Sequence, residues 1–348
     1  MDTKNHLVWG DICRLIAIFG VILIHCATPI LQNYHTLSLD KLLVANVIDS
    51  YARVSVPLFV MLSGTLLLGQ KYHNHIFDFF EIKKRIFKIA VPLLFWSCVY
   101  LIFTQQSSKA PLDILYSFGS ILNTPAMYHL WFAYMILGVY LLLPILRLIA
   151  KAVSRDTYFA LYFFALWIII NSLTVYSPIN LISQLKLAGF LGWGGYFILG
   201  FYLSNANWTH HLSNKISFMI FFMAGLCTFL LTWYLNLRST SFIEIAFEPL
   251  SPNCIIASIG AFLLLQKVQV NKHFIKPLAF ISKRVFPIYF IHILIISILG
   301  SDKLGFVITP LTIHPAIGIL ILAFTTFLIS LFIILILQKV PFISKLVG

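Results

Sequence analysis

Long apolar stretches separated by short polar segments run along the whole chain. A helix needs about 20 mostly apolar residues to cross the hydrocarbon core of a bilayer. The pattern therefore predicts an all-α polytopic membrane protein, built as a single transmembrane domain over residues 1–348 without a soluble domain. The ten predicted spans are 8–30, 45–68, 86–104, 128–149, 157–175, 188–204, 215–236, 248–267, 278–299 and 316–337.

Composition supports the same class. Hydrophobic residues make up 60% of the chain, charged residues 10%, and the mean hydropathy is +0.94. Soluble domains are about 45–50% apolar and about 25% charged, so these values exclude a soluble globular enzyme. The net charge of +13 would indicate a nucleic-acid partner in a soluble protein. In a membrane protein the location of the basic residues is more informative than their number, and we expect no nucleic-acid partner.

Basic residues are distributed unequally between the two predicted faces. With ten spans the termini share a side; that side holds 15 Lys and Arg, including Arg147 at the end of the fourth span and Lys151 and Arg155 after it. The opposite side holds 5. Loops rich in Lys and Arg stay in the cytoplasm, so we expect both termini to be cytoplasmic.

Three polar residues lie on the first predicted span, where charge is costly and marks functional sites by default. Arg14 and His25 are eleven residues apart, which is three helical turns plus 20°, so they share a face about 16 Å apart along the axis. Asp11 lies one turn before Arg14 and can pair with it. The alternative is a structural ion pair beside a buried histidine.

Other polar groups lie at the edges of spans. Asp49 and Arg53 are four residues apart, a spacing that allows an ion pair within the second helix. Such a pair could serve structure alone. Arg85 and Lys88 share one face of an amphipathic segment that enters the third span. They suit either anionic lipid at the cytoplasmic surface or a phosphate-bearing ligand.

Two more histidines lie at the predicted depth of His25, toward the outer face. His129 opens the fourth span together with Trp131, and His292 lies in the ninth. No spacing typical of a metal site links the histidines, so we expect no metal. Basic groups toward the inside and histidines toward the outside indicate a phosphate-bearing ligand from the cytoplasm, with proton transfer deeper in the membrane.

These motifs resemble the integral-membrane acyltransferase family 3. The resemblance starts with the Arg14-x10-His25 pattern and continues through 53–64, 129–134, 195–200 and 282–292, so it covers essentially the whole chain. The chain looks most like the stand-alone branch that O-acetylates bacterial surface polysaccharides. It departs from the family at Lys88, where many members have a second Arg; Lys lacks the bidentate fork of Arg.

The resemblance implies transfer of an acyl group, commonly acetyl from acetyl-CoA, to a carbohydrate hydroxyl in the bacterial inner membrane. It implies His25 as the general base, and acyl-CoA as a co-substrate with no permanently bound cofactor. Arg14, Arg85 and Lys88 would bind the CoA phosphates. The acceptor glycan and membrane lipid are the other expected partners. Residues expected to support the site or contact the acceptor are Asp11, Asp49, Arg53, His129, Trp131, Tyr134, Tyr289 and His292.

Two questions stay open at this level. A polysaccharide or lipid-linked sugar transporter without acyl-transfer chemistry is the alternative function, although no inverted repeat supports it. Acceptor specificity is expected in five loops: 31–44, 105–127, 176–187, 236–247 and 300–315. Cys26 is an unsuitable acyl carrier for His25, because adjacent helical residues point about 100° apart.

Overall fold

A computed structural model describes residues 7–34, 36–69, 76–105, 119, 123–176 and 188–348. Most of the predicted specificity loops 105–127 and 176–187 therefore lie outside the described residues, as do the loop cations Lys71, Lys109 and Lys186. Over the described ranges the regular structure is helical throughout, with no strand, which confirms the predicted all-α class.

The helices follow the predicted spans closely. Their bounds are α1 Val8–Gln32, α2 Leu39–Ala52, α3 Ser55–Leu67, α4 Phe79–Gln105, α5 Trp131–Leu141, α6 Leu143–Arg155, α7 Thr157–Tyr176, α8 Ala188–Asn205, α9 Asn207–His211, α10 Asn214–Asn236, α11 Pro252–Gln266, α12 Lys272–Ser282, α13 Val285–Leu299, α14 Pro315–Leu337 and α15 Pro341–Val347. Short 3-10 turns occupy Tyr128–Leu130, Ile245–Phe247 and Asp302–Leu304.

Among the described residues, seven helical segments are long and apolar enough to cross a membrane. The number is nine if the broken pairs α5–α6 and α12–α13 each count as one span. The remaining predicted span, 188–204, corresponds to α8, which has non-helical backbone at Gly192. A multi-pass membrane protein is therefore confirmed, while the number of ten crossings stays a prediction.

Prolines account for breaks inside two predicted spans. The second span is divided at Arg53 between α2 and α3, and the ninth at Lys283 between α12 and α13. Pro57 and Pro287 each follow four residues later, and proline has no N–H to bond the carbonyl four residues before it. The sequence pattern alone predicted continuous helices at both places.

The helices form two compact units. Unit 1 consists of Met1–Ile76, Pro144–Ser282 and Thr309–Ala323. Its central helix α1 packs against α2, α3, α11 and α12, and the strongest pairings elsewhere join α10 to α11 and α3 to α8. Unit 2 consists of Phe77–Leu143, Lys283–Ile308 and Phe324–Gly348. Within it α4 packs against α5, α13 and the terminal α15.

Helices α3 and α8 of unit 1 are in backbone contact. A methyl group added to Gly64 would collide with the carbonyl of Phe197, and one added to Gly200 with the backbone of Met61. The hydroxyl of Thr65 donates to the carbonyl oxygen of Gly200 at 3.0 Å. Small residues allow this close approach, as membrane helices commonly require.

One cation of the predicted cytoplasmic side is buried. It is Arg147, which lies near the inner end of the fourth predicted span. Its Nε donates to the carbonyl oxygen of Leu67 at 3.4 Å, and Nη1 donates to that of Ile76 at 3.2 Å. Since the last carbonyls of a helix lack intrahelical partners, Arg147 stabilises the end of α3.

Candidate active site

A three-residue polar network occupies the beginning of α1. Nη1 of Arg14 donates to Oδ1 of Asp11 at 2.9 Å, which confirms the predicted pair. The hydroxyl of Ser282, from the end of α12, donates to the same Asp11 oxygen at 2.7 Å and accepts from Nη1 of Arg14 at 3.4 Å. Asp11 and Ser282 are buried, whereas 33% of the Arg14 side chain is exposed. Asp11 and Ser282 therefore hold the guanidinium at Nη1, while part of the side chain stays exposed.

His25 lies on the same continuous helix. Because α1 runs unbroken from Val8 to Gln32, the three turns that separate Arg14 from His25 are helical throughout. The shared face and the spacing of about 16 Å follow from regular helix geometry. His25 is half-buried, whereas the adjacent Cys26 is fully buried on another face.

The second ion pair of unit 1 joins a buried carboxylate to a partly exposed arginine. Nη2 of Arg53 donates to Oδ2 of Asp49 at 2.7 Å, and Asp49 is fully buried. The guanidinium carbon of Arg53 also lies 4.3 Å from the ring centroid of Phe247. A cation over an aromatic face is stabilised when it is removed from water. The arrangement is compatible with the structural reading that the sequence left open.

Unit 2 carries the other predicted cations, on the first turns of α4. Nε and Nη2 of Arg85 both donate to Oε1 of Glu81, at 2.9 and 2.7 Å. Lys88, one turn further along, is exposed. The Arg85 fork is therefore already engaged by a carboxylate from the same helix.

Unit 2 also gathers His129 and His292 with two buried tyrosines. The imidazole centroids of the two histidines are 5.1 Å apart, and His129 is in edge contact with both Tyr100 and Tyr289. The Tyr289 hydroxyl donates to the backbone carbonyl of His129 at 2.6 Å, and the Tyr100 hydroxyl to that of Phe290 at 2.7 Å. The sequence suggested the two histidines and Tyr289 but missed Tyr100.

Carbonyl partners fix which ring nitrogens of this pair carry protons. Nδ1 of His292 lies 2.6 Å from the carbonyl oxygen of Tyr289, and Nε2 of His129 lies 3.3 Å from that of Phe290. A carbonyl only accepts, so these nitrogens are the donors. Both N–H groups, like the Tyr289 hydroxyl, point at the backbone. These protons are therefore committed to backbone carbonyls and are not directed at an oxyanion.

The remaining predicted residues lie near the start of α5. Trp131 is 38% exposed and contacts the ring of Phe132, while Tyr134 is half-buried. An exposed Trp at a helix end suits a membrane interface.

The predicted residues are divided between the units. Unit 1 holds Asp11, Arg14, His25, Asp49 and Arg53. Unit 2 holds the others: Arg85, Lys88, His129, Trp131, Tyr134, Tyr289 and His292.

Comparison with protein families decides the class. A family model described as "Acyltransferase domain" matches residues 7–335, which is nearly the whole chain. The chain belongs to integral-membrane acyltransferase family 3. The resemblance read from the motifs is thereby confirmed, and membrane acyltransferase activity follows from the family. No curated protein and no solved structure matches.

In this acyltransferase, the sequence did not indicate that Ser282 contacts Asp11 and Arg14. Ser282 stands at the first position of the motif 282–292, but 268 residues separate it from Arg14. Helical periodicity relates residues of one helix and carries no information about such a contact. The described residues contain no group of three or more His, Cys, Asp or Glu suited to a metal ion.

Proposed function

We propose that this acyltransferase is an O-acetyltransferase that moves acetyl from cytoplasmic acetyl-CoA to a hydroxyl of a cell-envelope polysaccharide or lipid-linked glycan. The proposal places the protein in a bacterial inner membrane with both termini in the cytoplasm. Its motifs resemble those of the O-acetyltransferase of enterobacterial common antigen. The single observation that supports it most is the continuous α1 face with Arg14 near one end and His25 three turns away.

His25 is the proposed general base. Its imidazole removes the proton from a sugar hydroxyl, and the hydroxyl oxygen attacks the thioester carbonyl carbon. The C–S bond then breaks, and the CoA sulfur leaves as a thiolate that takes up the proton from the imidazolium. The products are the sugar ester and free CoA. Imidazole suits both transfers because its ordinary pKa lies near neutrality.

Arg14 is the proposed anchor for a CoA phosphate. Asp11 and Ser282 hold one edge of its guanidinium, which leaves a partly exposed fork of the kind that binds phosphate oxygens. The distance of about 16 Å from Arg14 to His25 is comparable to the reach of a pantetheine arm. Arg85 and Lys88 are the proposed additional phosphate contacts.

The remaining residues are assigned to the acceptor side or to support. Asp49 and Arg53 would support the acceptor side as a buried pair, and Trp131 and Tyr134 would lie at the membrane interface. His129, His292 and Tyr289 would contact the acceptor hydroxyls.

The test uses membranes that contain the protein, radiolabelled acetyl-CoA and total cell-envelope glycan. We expect label in the glycan with the wild-type protein and none with His25→Ala. Cys26→Ala is the matched control, since Cys26 is adjacent but buried on another face; it should retain transfer. Arg14→Ala should raise KM for acetyl-CoA and leave KM for the acceptor unchanged.

Two results would contradict the proposal. Normal labelling in His25→Ala, with the variant inserted in the membrane, would remove the assigned base. Glycan that crosses the membrane without acquiring label would favour transport.

A further inference from the structure

Basic and aromatic side chains share an exposed face on the first turns of α4, in unit 2. Phe80 is 80% exposed and Phe87 is 57% exposed. They are two helical turns apart to within about 20°, so the two rings lie one above the other. Lys83 and Lys84 are exposed between them, one on each side of the line that joins the rings. With Lys88, which is exposed on the same side as Lys84, these residues form a basic aromatic patch.

The lysines of this patch are not neutralised by the acids that lie next to them in sequence. Oδ1 of Asp78 accepts from the backbone N–H of Glu81 at 3.0 Å, and the Glu81 carboxylate is bonded to Arg85 at 2.7 Å. Nζ of Lys83 lies over the Phe87 ring, 5.9 Å from its centroid. Within the described ranges, the three lysines of the patch form no ion pair. The patch therefore presents positive charge beside exposed rings, as helices at a membrane surface commonly do.

The length of α4 places the patch at the depth of the lipid headgroups. Its 27 residues extend over about 40 Å, whereas the hydrocarbon core of a bilayer is about 30 Å thick. About seven residues of an upright helix therefore lie outside the core. All the charged residues of α4 lie between Glu81 and Lys88, and the rest of the helix carries no charge. The end that projects from the core is therefore the one that bears the patch.

A second segment with the same character is held against α4. The terminal helix α15 packs on α4, and Nε1 of Trp96 donates to the carbonyl oxygen of Val347 at 3.4 Å. Phe342 of α15 is 73% exposed, and Lys339 and Lys345 are exposed as well. Two segments of unit 2 that are distant in sequence thus present exposed lysines close to an exposed phenylalanine.

We propose that the basic aromatic patch is a binding surface for anionic phospholipid. Its lysines contact headgroup phosphates, and its two rings lie at the boundary between headgroups and acyl chains. Charge complementarity selects this occupant, because each lysine near an anionic membrane surface adds to the attraction. A soluble phosphate compound would leave Phe80 and Phe87 in water. A second copy of the chain would bring like charges together across a two-fold interface.

The surface does not depend on the proposed acetyl transfer, and its test measures lipid binding alone. The full chain is titrated in neutral detergent micelles with a short-chain phosphatidylglycerol, which is anionic, or with the matching phosphatidylcholine, which is zwitterionic. The unfolding temperature is recorded at each concentration, since a lipid that binds the folded protein raises it. We expect phosphatidylglycerol to act at lower concentrations than phosphatidylcholine. Lys83→Gln/Lys84→Gln should raise its half-saturating concentration about tenfold to thirtyfold.

Two control variants separate the patch from general effects of charge. Lys83→Arg/Lys84→Arg keeps both charges and should bind phosphatidylglycerol as the wild type does. Arg238→Gln/Lys303→Gln removes two exposed cations from the predicted outer side, and it should leave the titration unchanged. All these side chains are exposed, so we expect the variants to fold.

The variant Phe80→Ser/Phe87→Ser distinguishes a lipid from other occupants. It keeps every charge and removes the rings, and it should also weaken the binding of phosphatidylglycerol. Wild-type binding in this variant, together with competition by inorganic phosphate, would make the surface a phosphate site and overturn the proposal. A wild-type dimer in micelles that this variant dissociates without lipid would assign the surface to a second copy.

Three further results would also overturn the surface. One is an equal response to phosphatidylglycerol and phosphatidylcholine. Another is an unchanged half-saturating concentration in Lys83→Gln/Lys84→Gln. The third is an equal loss in Arg238→Gln/Lys303→Gln, because net charge alone would then account for the effect.

Discussion

Substitution of Ser282 by alanine tests whether the network around Arg14 positions a cation for acyl-CoA. Ser282 is buried, and it donates at 2.7 Å to the Asp11 carboxylate that also holds Arg14. A hydrogen bond to a charged group contributes about 1.5–3 kcal/mol. We therefore expect Ser282→Ala to lower the free energy of unfolding by about that amount. Thermal unfolding in nanodiscs measures this loss.

The effect on kinetics should be smaller than the effect on stability, and it should be confined to KM for acetyl-CoA. Arg14 loses one contact of 3.4 Å and keeps its bond to Asp11. A neutral hydrogen bond contributes about 0.5–1.5 kcal/mol, so KM for acetyl-CoA should rise about twofold to tenfold. Because Ser282 is placed away from the reacting atoms, kcat should not change.

A double-mutant cycle provides the decisive comparison. If Ser282 acts through Arg14, its replacement should have no further effect on KM in an Arg14→Ala background. Ser330→Ala is the matched control, since Ser330 is buried and its hydroxyl has no hydrogen-bond partner within the described ranges. An unchanged KM in Ser282→Ala despite the loss of stability would refute the positioning role, and so would an effect that persists without Arg14.

Three further predictions concern other contacts. Asp49→Asn removes the charged partner of Arg53, whose side chain is 17% exposed, and should lower the free energy of unfolding by about 1–3 kcal/mol; the double variant Asp49→Leu/Arg53→Met should lose less, and equal losses in thermal unfolding would contradict the pairing. Gly200→Ala should separate α3 from α8 and cost about 1–3 kcal/mol of stability. The control Gly138→Ala, with open space at its Cβ, should be neutral or stabilising. Asn236→Ala should release the Phe242 loop and lower the free energy of unfolding by about 1–3 kcal/mol in the same thermal assay, because the backbone groups of Ile243 lose their amide partner.

Periodicity was sufficient for features that lie within one helix. The Asp11–Arg14 and Asp49–Arg53 pairs follow from spacings of three and four residues, and the structure contains both. The shared face of Arg14 and His25 follows in the same way. Hydropathy likewise located a helix or a broken helix pair at each of the ten predicted spans.

Contacts between distant segments could not be predicted from periodicity or hydropathy. Ser282 reaches Asp11 across 271 positions, and Tyr100 reaches Phe290 across 190. Arg147 shows the same limit, because the carbonyls that it bonds, those of Leu67 and Ile76, lie 80 and 71 positions away. The breaks at Arg53 and Lys283, in contrast, have a cause that is visible in the sequence, at Pro57 and Pro287.

The ion pairs of the proposed phosphate contacts bear on how acyl-CoA would be bound. Arg14 and Arg85 are each bonded to a carboxylate on their own helix, so each pair brings little net charge to the membrane. Such pairs orient a guanidinium fork, and they reduce the cost of placing it at lipid depth. For Arg14, the proposed phosphate anchor, affinity for an anionic ligand would then depend on the geometry of the fork and not on net charge. A lysine should therefore not replace Arg14, because its ammonium group lacks the fork that would serve Asp11 and a ligand at once.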